Sequence, residues 1–229
     1  MPDFDLSTRS VRELNAALHA LRADTADTQW TVSNPRGAHA LAVGVDAPVR
    51  IRIDGHVGYY CAGMNKLAEV TIHGNAGVGV AENMMSGRVH VMGDASQSAG
   101  ATAHGGLLLI DGNASARCAI SLKGADIVVK GSVGHLSAFM AQAGTLVVLG
   151  DAGDALGDSL YEARLYVRGK VAGLGADCVA KKMKQRHRAQ LAGLLDAAGL
   201  AGEVDVSEFQ RYGSARTLYH FHVDNAAAY

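Results

Sequence analysis

The sequence predicts an all-β solenoid: a right-handed parallel β-helix of about seven 19-residue coils, with short N- and C-terminal helices. Three observations carry that prediction. Glycine recurs at Gly55, Gly74, Gly93, Gly112, Gly131, Gly150 and Gly169, each 19 residues after the last. Counted from that glycine, positions +15 and +17 are aliphatic in six successive coils: Val70/Ile72, Val89/Val91, Leu108/Ile110, Ile127/Val129, Leu146/Val148 and Leu165/Val167. Residues two apart on a strand share a face, so each coil holds a short strand with one buried side. Positions +3, +7 and +13 hold only Gly, Ala or Ser, which marks tight corners and narrow inner walls. A 19-residue period is too short for two helices with their turns, and the columns of a leucine-rich repeat are missing. Parallel crossovers within one sheet set the expected right hand.

The elements follow in chain order. Ser10-Val11-Arg12-Glu13 reads as a capping box, and Val11, Leu14, Leu18 and Leu21 form an apolar stripe, so residues 10–22 are expected to be helical. From Pro35 the chain leads to the alternating Val49-Arg50-Ile51-Arg52-Ile53, expected to form an irregular opening rung. Residues 1–48 thus make an N-terminal helix and lead-in segment, and residues 49–178 the solenoid. Each coil glycine is followed by a polar residue (His56, Asn75, Asp94, Asn113, Ser132, Asp151, Lys170), a pairing that suits a turn needing positive φ and a local hydrogen bond.

Residues 179–229 make a C-terminal helix and an aromatic docking tail. Over Ala180 to Ala198, Met183, His187, Leu191, Leu194 and Leu195 fall on one side, and Gly199 supplies the stop. Both terminal segments are expected to cover the open ends of the rod, where unpaired backbone groups would otherwise meet other chains. The tail holds Phe209, Tyr212, Leu218, Tyr219, Phe221 and Tyr229, and is expected to dock on its own rod or on a neighbour.

Composition narrows the function. The 21 basic and 22 acidic residues give a net charge of -1, which offers no overall field for nucleic acid or an anionic membrane. Three scattered cysteines fit a reducing compartment better than a disulfide framework. With no signal-like N-terminus and no long apolar run, the chain is expected to be soluble and cytoplasmic.

Chemistry is sparse. Gly74-Asn75-Ala76-Gly77-Val78-Gly79 has the glycines of a dinucleotide loop but no helical period after it, and the coil corner accounts for it. Cys61 and Cys118 share column +6 three coils apart, beyond bridging distance, and read as small buried hydrophobes. His220-x-His222 puts two imidazoles on one face without a third ligand. Asp94 with Asp111, and Glu82 with Asp158, come nearest to a glycosidase pair, but Asp94 and Asp111 sit at corners and the other two lie four coils apart. Glu69 and Arg88, neighbours in column +14, read as a surface ion pair. No catalytic, cofactor-binding or metal-binding residue is assigned, and the pattern points to a scaffold.

The coils vary most between +4 and +12. That stretch supplies the candidate interface residues Tyr59, Tyr60, Met64, Asn83, Met84, Met85, Thr102, His104, Phe139 and Met140, joined by Phe209, Tyr212, Tyr219 and Phe221 of the tail. Variable side chains beside a uniform strand are where a partner can be read, and flexible methionines and aromatics suit an interface.

Asn83-Met84-Met85-Ser86-Gly87-Arg88-Val89-His90-Val91, Ala101-Thr102-Ala103-His104-Gly105-Gly106-Leu107 and Met140 to Gly150 resemble the C-terminal β-helix, or GXGXG, domain of the glutamate synthase large subunit. The likeness covers roughly residues 50–175. A free-standing domain with the ending Glu208 to Arg216 and Leu218 to Asn225 is similar to the separate β-helix subunit of N-methylglutamate synthase and its GlxC-type relatives. The resemblance implies a non-catalytic subunit in a hetero-oligomer with a glutamine amidotransferase-like subunit and an FMN-binding synthase-like subunit. FMN and an iron–sulfur cluster would sit on that partner, with no cofactor on this chain. The β-helix subunit of formylmethanofuran dehydrogenase, or of the formyltransferase/hydrolase complex, shares this architecture and is the second reading. A stand-alone carbohydrate-active β-helix protein is the third.

Overall fold

The computed structural model describes residues 2–26 and 28–216. The parallel ladder runs β1 (Asp3–Asp5), β2 (Gln29–Ser33), β3 (Arg50–Asp54), β4 (Glu69–Ile72), β5 (Arg88–Val91), β6 (Leu107–Ile110), β7 (Lys123–Val129), β8 (Ala143–Val148) and β9 (Arg164–Val167). Helix α1 (Val11–His19) lies between β1 and β2, and after β9 come β10 (Cys178–Lys181), α2 (Gln185–Ala197) and β11 (Gln210–Ser214). All strands belong to one sheet of order β1-β2-β3-β4-β5-β6-β7-β8-β9-β11-β10. The fold is the expected parallel β-solenoid of about seven turns. Ile51, Val70, Val89, Leu108, Ile127, Leu146 and Leu165 are direct lateral partners, so the sequence period is the stacking register.

A second, thinner ladder closes each coil. Val57, Ala76, Ala95, Ala114, Val133, Ala152 and Val171 form single-residue parallel bridges from coil to coil, all turned inward. Between this ladder and the main strands the interior is filled by aliphatic side chains from both. That explains the small residues at +7: a Cβ on Gly100 would lie 2.4 Å from Ile127 Cδ1.

The coil glycines serve a purpose other than the one expected. Of the seven, only Gly55 has positive φ. The rest permit close approach: a Cβ on Gly131 would lie 2.6 Å from Gly112 O, well inside contact distance. The polar residue after each glycine likewise bonds across coils instead of locally. Asn75 Oδ1 accepts from Asp94 N at 3.0 Å, Asp94 Oδ1 from Asn113 N at 2.7 Å, Asn113 Oδ1 from Ser132 N at 2.9 Å and Ser132 Oγ from Asp151 N at 2.9 Å. Asp151 Oδ1 continues the series by accepting from Lys170 N. This line of side chains pairs one backbone N–H per coil that the bend would leave unpaired.

The N-terminal region holds more of the sheet than expected. Besides the rung at β3, strands β1 and β2 extend the ladder, and Phe4, Trp30 and Val32 enter the core. Helix α1 has its capping box, with Ser10 Oγ accepting from Glu13 N and Glu13 Oε2 accepting from Ser10 N, but it stops at His19. It covers the start of the rod as expected. Leu14 and Leu18 are buried in the main core, Asn15 Nδ2 donates to Ala40 O, and His19 Nε2 lies 2.7 Å from Val43 O. In the next two coils the carbonyls equivalent to Val43, those of Gly63 and Glu82, accept from the preceding coil. Val43 has no preceding coil, and the helix substitutes for it.

The C-terminal end departs from expectation. Ala180 and Lys181, expected to open the C-terminal helix, lie instead in strand β10, because β11 pairs with it antiparallel, Cys178 opposite Ser214 and Lys181 opposite Arg211. β11 itself lies antiparallel on β9, with Tyr212 opposite Leu165, so the last rung is closed by strands. Helix α2 does not cover the end. It lies on the outer face of the sheet, where His187, Leu191 and Leu195 are buried and the last two pack with Leu109, Val128, Val147 and Tyr166. Its stop is as expected: Gly199 has φ +75°, Gly199 N bonds Asp196 O, and Leu200 N bonds Leu195 O, a Schellman motif.

Candidate functional site

The variable stretch of each coil has an unusual backbone. At +5, +7 and +9 every coil from Gly55 to Gly150 places a residue in the left-handed region, from Tyr60, Ala62 and Met64 to Ala155, Gly157 and Ser159, with φ between 51° and 71°. Only Gly79, Gly100 and Gly157 among them are glycine. Each non-glycine residue costs roughly 1 kcal/mol in this conformation. Inter-coil bonds offset that cost: Tyr60 N donates forward to Val78 O at 2.8 Å, Ala62 N back to Leu41 O at 2.8 Å, and Met64 N forward to Glu82 O at 2.8 Å. The same bonds recur coil after coil, so the stretch is a stiff ribbon and not a set of loops.

The ribbon sorts its side chains sharply. Tyr59, Met64, Met85 and Met140 point outward, 58%, 46%, 47% and 49% exposed, and Val78 extends the column of Tyr59 one coil on. Tyr59 is held in place by His39, whose ring stacks on it at 4.5 Å and whose Nδ1 accepts from Tyr59 N. His104 is also exposed, while Tyr60, Asn83, Thr102 and Phe139 are half-buried. Thr102 Oγ1 donates to Asn83 Oδ1 at 2.6 Å, which ties neighbouring coils together.

Two expected surface residues are not on the surface. Met84 is fully buried at column +10, where the chain turns each side chain inward: Asn65, Ala103, Leu122, Ala141 and Leu160 are its buried equivalents. Phe209, 6% exposed, packs with α2 on the outer face of the sheet, and Tyr212 is half-buried within β11. The described part of the tail therefore docks on its own rod. Tyr219 and Phe221 lie outside the described residues, as do His220 and His222.

The remaining sequence candidates serve the fold. Cys61 and Cys118 are buried and their thiols are pushed up to about 12 by desolvation; Cys178 is pushed up to about 11 by the same cause. Thiols so held are poor nucleophiles. Asp111 receives Lys130 Nζ at 2.7 Å and His90 Nε2 at 2.9 Å; burial opposes its charge, but these partners prevail and hold it below the usual carboxylate range. Asp94 is engaged by Asn113, and Asp158 by Ser159 and Ala176. Glu69 pairs with Arg50 at 3.1 Å, not with Arg88, because Arg88 Nη1 donates instead to Ala197 O at the end of α2. Among the described residues no three His, Cys, Asp or Glu side chains converge as a metal site, and no helix is long and apolar enough to cross a membrane.

One signal in the sequence lies outside the columns that predict the core. The residue between the two inward aliphatics is Arg52, Thr71 and His90 in β3–β5, but Leu109, Val128, Val147 and Tyr166 in β6–β9. That switch marks where α2 lands. No family model matches the chain. Protein GlxC of Rhizobium meliloti (strain 1021) is 61% identical to it over 229 residues, spanning 100% of each chain. Rod, helices and closing strands all fall within that match, and the chain belongs to the GlxC family.

Proposed function

We propose that the chain is the non-catalytic scaffold subunit of a glutamate synthase-like complex, N-methylglutamate synthase (methylamine–glutamate N-methyltransferase). In this reading it holds a glutamine amidotransferase-like subunit against a subunit carrying FMN and an iron–sulfur cluster, so that a released amine passes between fixed sites. The supporting observation is the set of apolar side chains Tyr59, Met64, Val78, Met85 and Met140, exposed on a ribbon whose inter-coil bonds keep it stiff. Adaptable methionines beside an anchored tyrosine are the composition of a recognition surface. A rod held by its own ladder adds no large ordering cost when partners dock.

Affinity purification of the tagged chain from its native cell tests this. Both partners are expected to co-purify, and Met64→Asp with Met85→Asp is expected to release at least one of them while the melting temperature of the free chain stays unchanged. Truncation after Arg216 tests the share of Tyr219 and Phe221. A chain recovered alone, or with a molybdopterin-binding or amidohydrolase-like partner, overturns the reading, and so does cleavage of polysaccharide by the purified chain.

A further inference from the structure

Positive charge is concentrated at one place in this near-neutral chain. At the C-terminal end of the rod a cleft of about 540 Å³ is lined by Arg164, Lys181, Arg186, His187, Arg211 and Arg216. Arg164 opens β9, Lys181 closes β10, Arg211 lies in β11, Arg216 follows β11, and Arg186 stands in the first turn of α2. Four separate elements thus aim cations at one space. A neighbouring hollow of about 280 Å³ shares Arg164, Arg186 and His187.

The local counter-charge is smaller than the positive charge: Glu162 lines the same cleft, Asp177 pairs with Arg216, and Asp126 of β7 interacts with Arg164. Arg211 Nε donates to Lys182 O at 3.2 Å, Arg164 Nη1 lies 3.4 Å from Gln190 Oε1, and Arg186 Nε lies 3.3 Å from His187 Nε2. The first turn of α2 contains no acidic residue to offset its own positive end. Burial, with Arg164 and Arg186 beside it, lowers the pKa of Arg211, and burial with the same three arginines lowers that of His187. These charges press on one another, and an anion placed among them would relieve the repulsion.

The residue choice favours phosphate. Four of the five cations are arginines, whose planar forks match phosphate oxygens in pairs, and the volume is that of a small-molecule pocket. An acidic protein segment would call for an extended basic stripe, whereas these side chains converge on a hollow. We infer that this cleft binds a small phosphate-bearing molecule with two or more negative charges, of the pyrophosphate or nucleoside diphosphate class.

Calorimetric titration of the full chain with pyrophosphate, at ionic strength matched with sodium chloride, tests the inference. Matching is required because salt alone relaxes cation–cation repulsion. Saturable one-to-one binding is expected, weakened at least about tenfold by Arg164→Gln with Arg186→Gln. Both side chains are exposed, so the variant should keep its circular dichroism and melting temperature; Arg186→Gln alone carries the test if it does not. Arg50→Gln with Arg52→Gln, exposed cations at the far end of the sheet, is expected to leave binding unchanged. No saturable heat beyond the salt control, or equal affinity in the Arg164/Arg186 variant, overturns the inference. Tighter binding of an oligo-glutamate peptide than of pyrophosphate also overturns it, by making an acidic segment the ligand.

Discussion

The outer face of the main sheet divides into two surfaces built on one repeat. In β3–β5 it presents Arg52, Thr71 and His90, the first two of which line, with Gln29, Thr31 and His73, a groove of about 450 Å³. In β6–β9 it presents Leu109, Val128, Val147 and Tyr166, all buried under α2. Inside, the two halves are alike: Val70/Ile72 and Ile127/Val129 are equally buried. The boundary lies between β5 and β6, where Arg88 of β5 bonds Ala197 O at the last turn of α2, and Gln190 Nε2 and Tyr166 OH anchor the rest of that helix. The difference teaches that stacking constrains only the inner wall of a solenoid. Its outer wall can be assigned to a helix or left open without altering a coil.

Four substitutions, the first with a control, would break or sharpen that contrast. Val128→Asp places an unpaired carboxylate between β7 and α2, and is expected to cost about 4 kcal/mol in urea unfolding. Thr71→Asp, its control at the equivalent position of the open half, is expected to stay within about 0.5 kcal/mol; equal costs would mean that the two faces are not differently covered. Leu195→Ala removes a contact of α2 with the sheet and is expected to cost about 2–3 kcal/mol. Hydrogen exchange should then show faster α2 amides with unchanged β3–β5.

The third substitution concerns charge. Asp111 lies beside the boundary, and its lowered pKa means that its stabilisation is present above the carboxylate's unfolded value and lost as pH falls through the folded one. Asp111→Asn is therefore expected to lower stability by about 1 kcal/mol near neutrality, with the gap closing in acid below about pH 4. Melting temperature against pH checks it, and a gap that persists at low pH would assign the effect to packing. The smallest effect is expected from Gly193→Ala. An added Cβ there meets nothing within 4 Å, so α2 should gain about 0.5–1 kcal/mol, read as a small rise in melting temperature.

The candidate surface was only partly legible. Its variability located the stretch from +4 to +12, but separating Met84 from Met64 and Met85 depends on the turn of the left-handed ribbon, which sends +9 and +11 outward and +10 inward. Column +10 carried a faint trace of this, being apolar in every coil but that of Asn65.

By itself the sequence determined whatever stacking repeats or a local motif encodes. A residue in this rod touches the one 19 positions on, so simple spacing yields the register, the inner columns and the burial of Cys61 and Cys118, while the Ser10 capping box and Gly199 mark helix ends from their neighbours alone. Only the tertiary structure decided that the coil glycines serve close approach, that β11 inserts beside β9, that Cys178–Lys181 is a strand, and that Arg164, Arg186 and Arg211 meet. The last three outcomes depend on pairing between segments far apart in the chain, and such pairing has no period. It is settled by which distant backbone supplies the missing hydrogen bonds at the end of the rod.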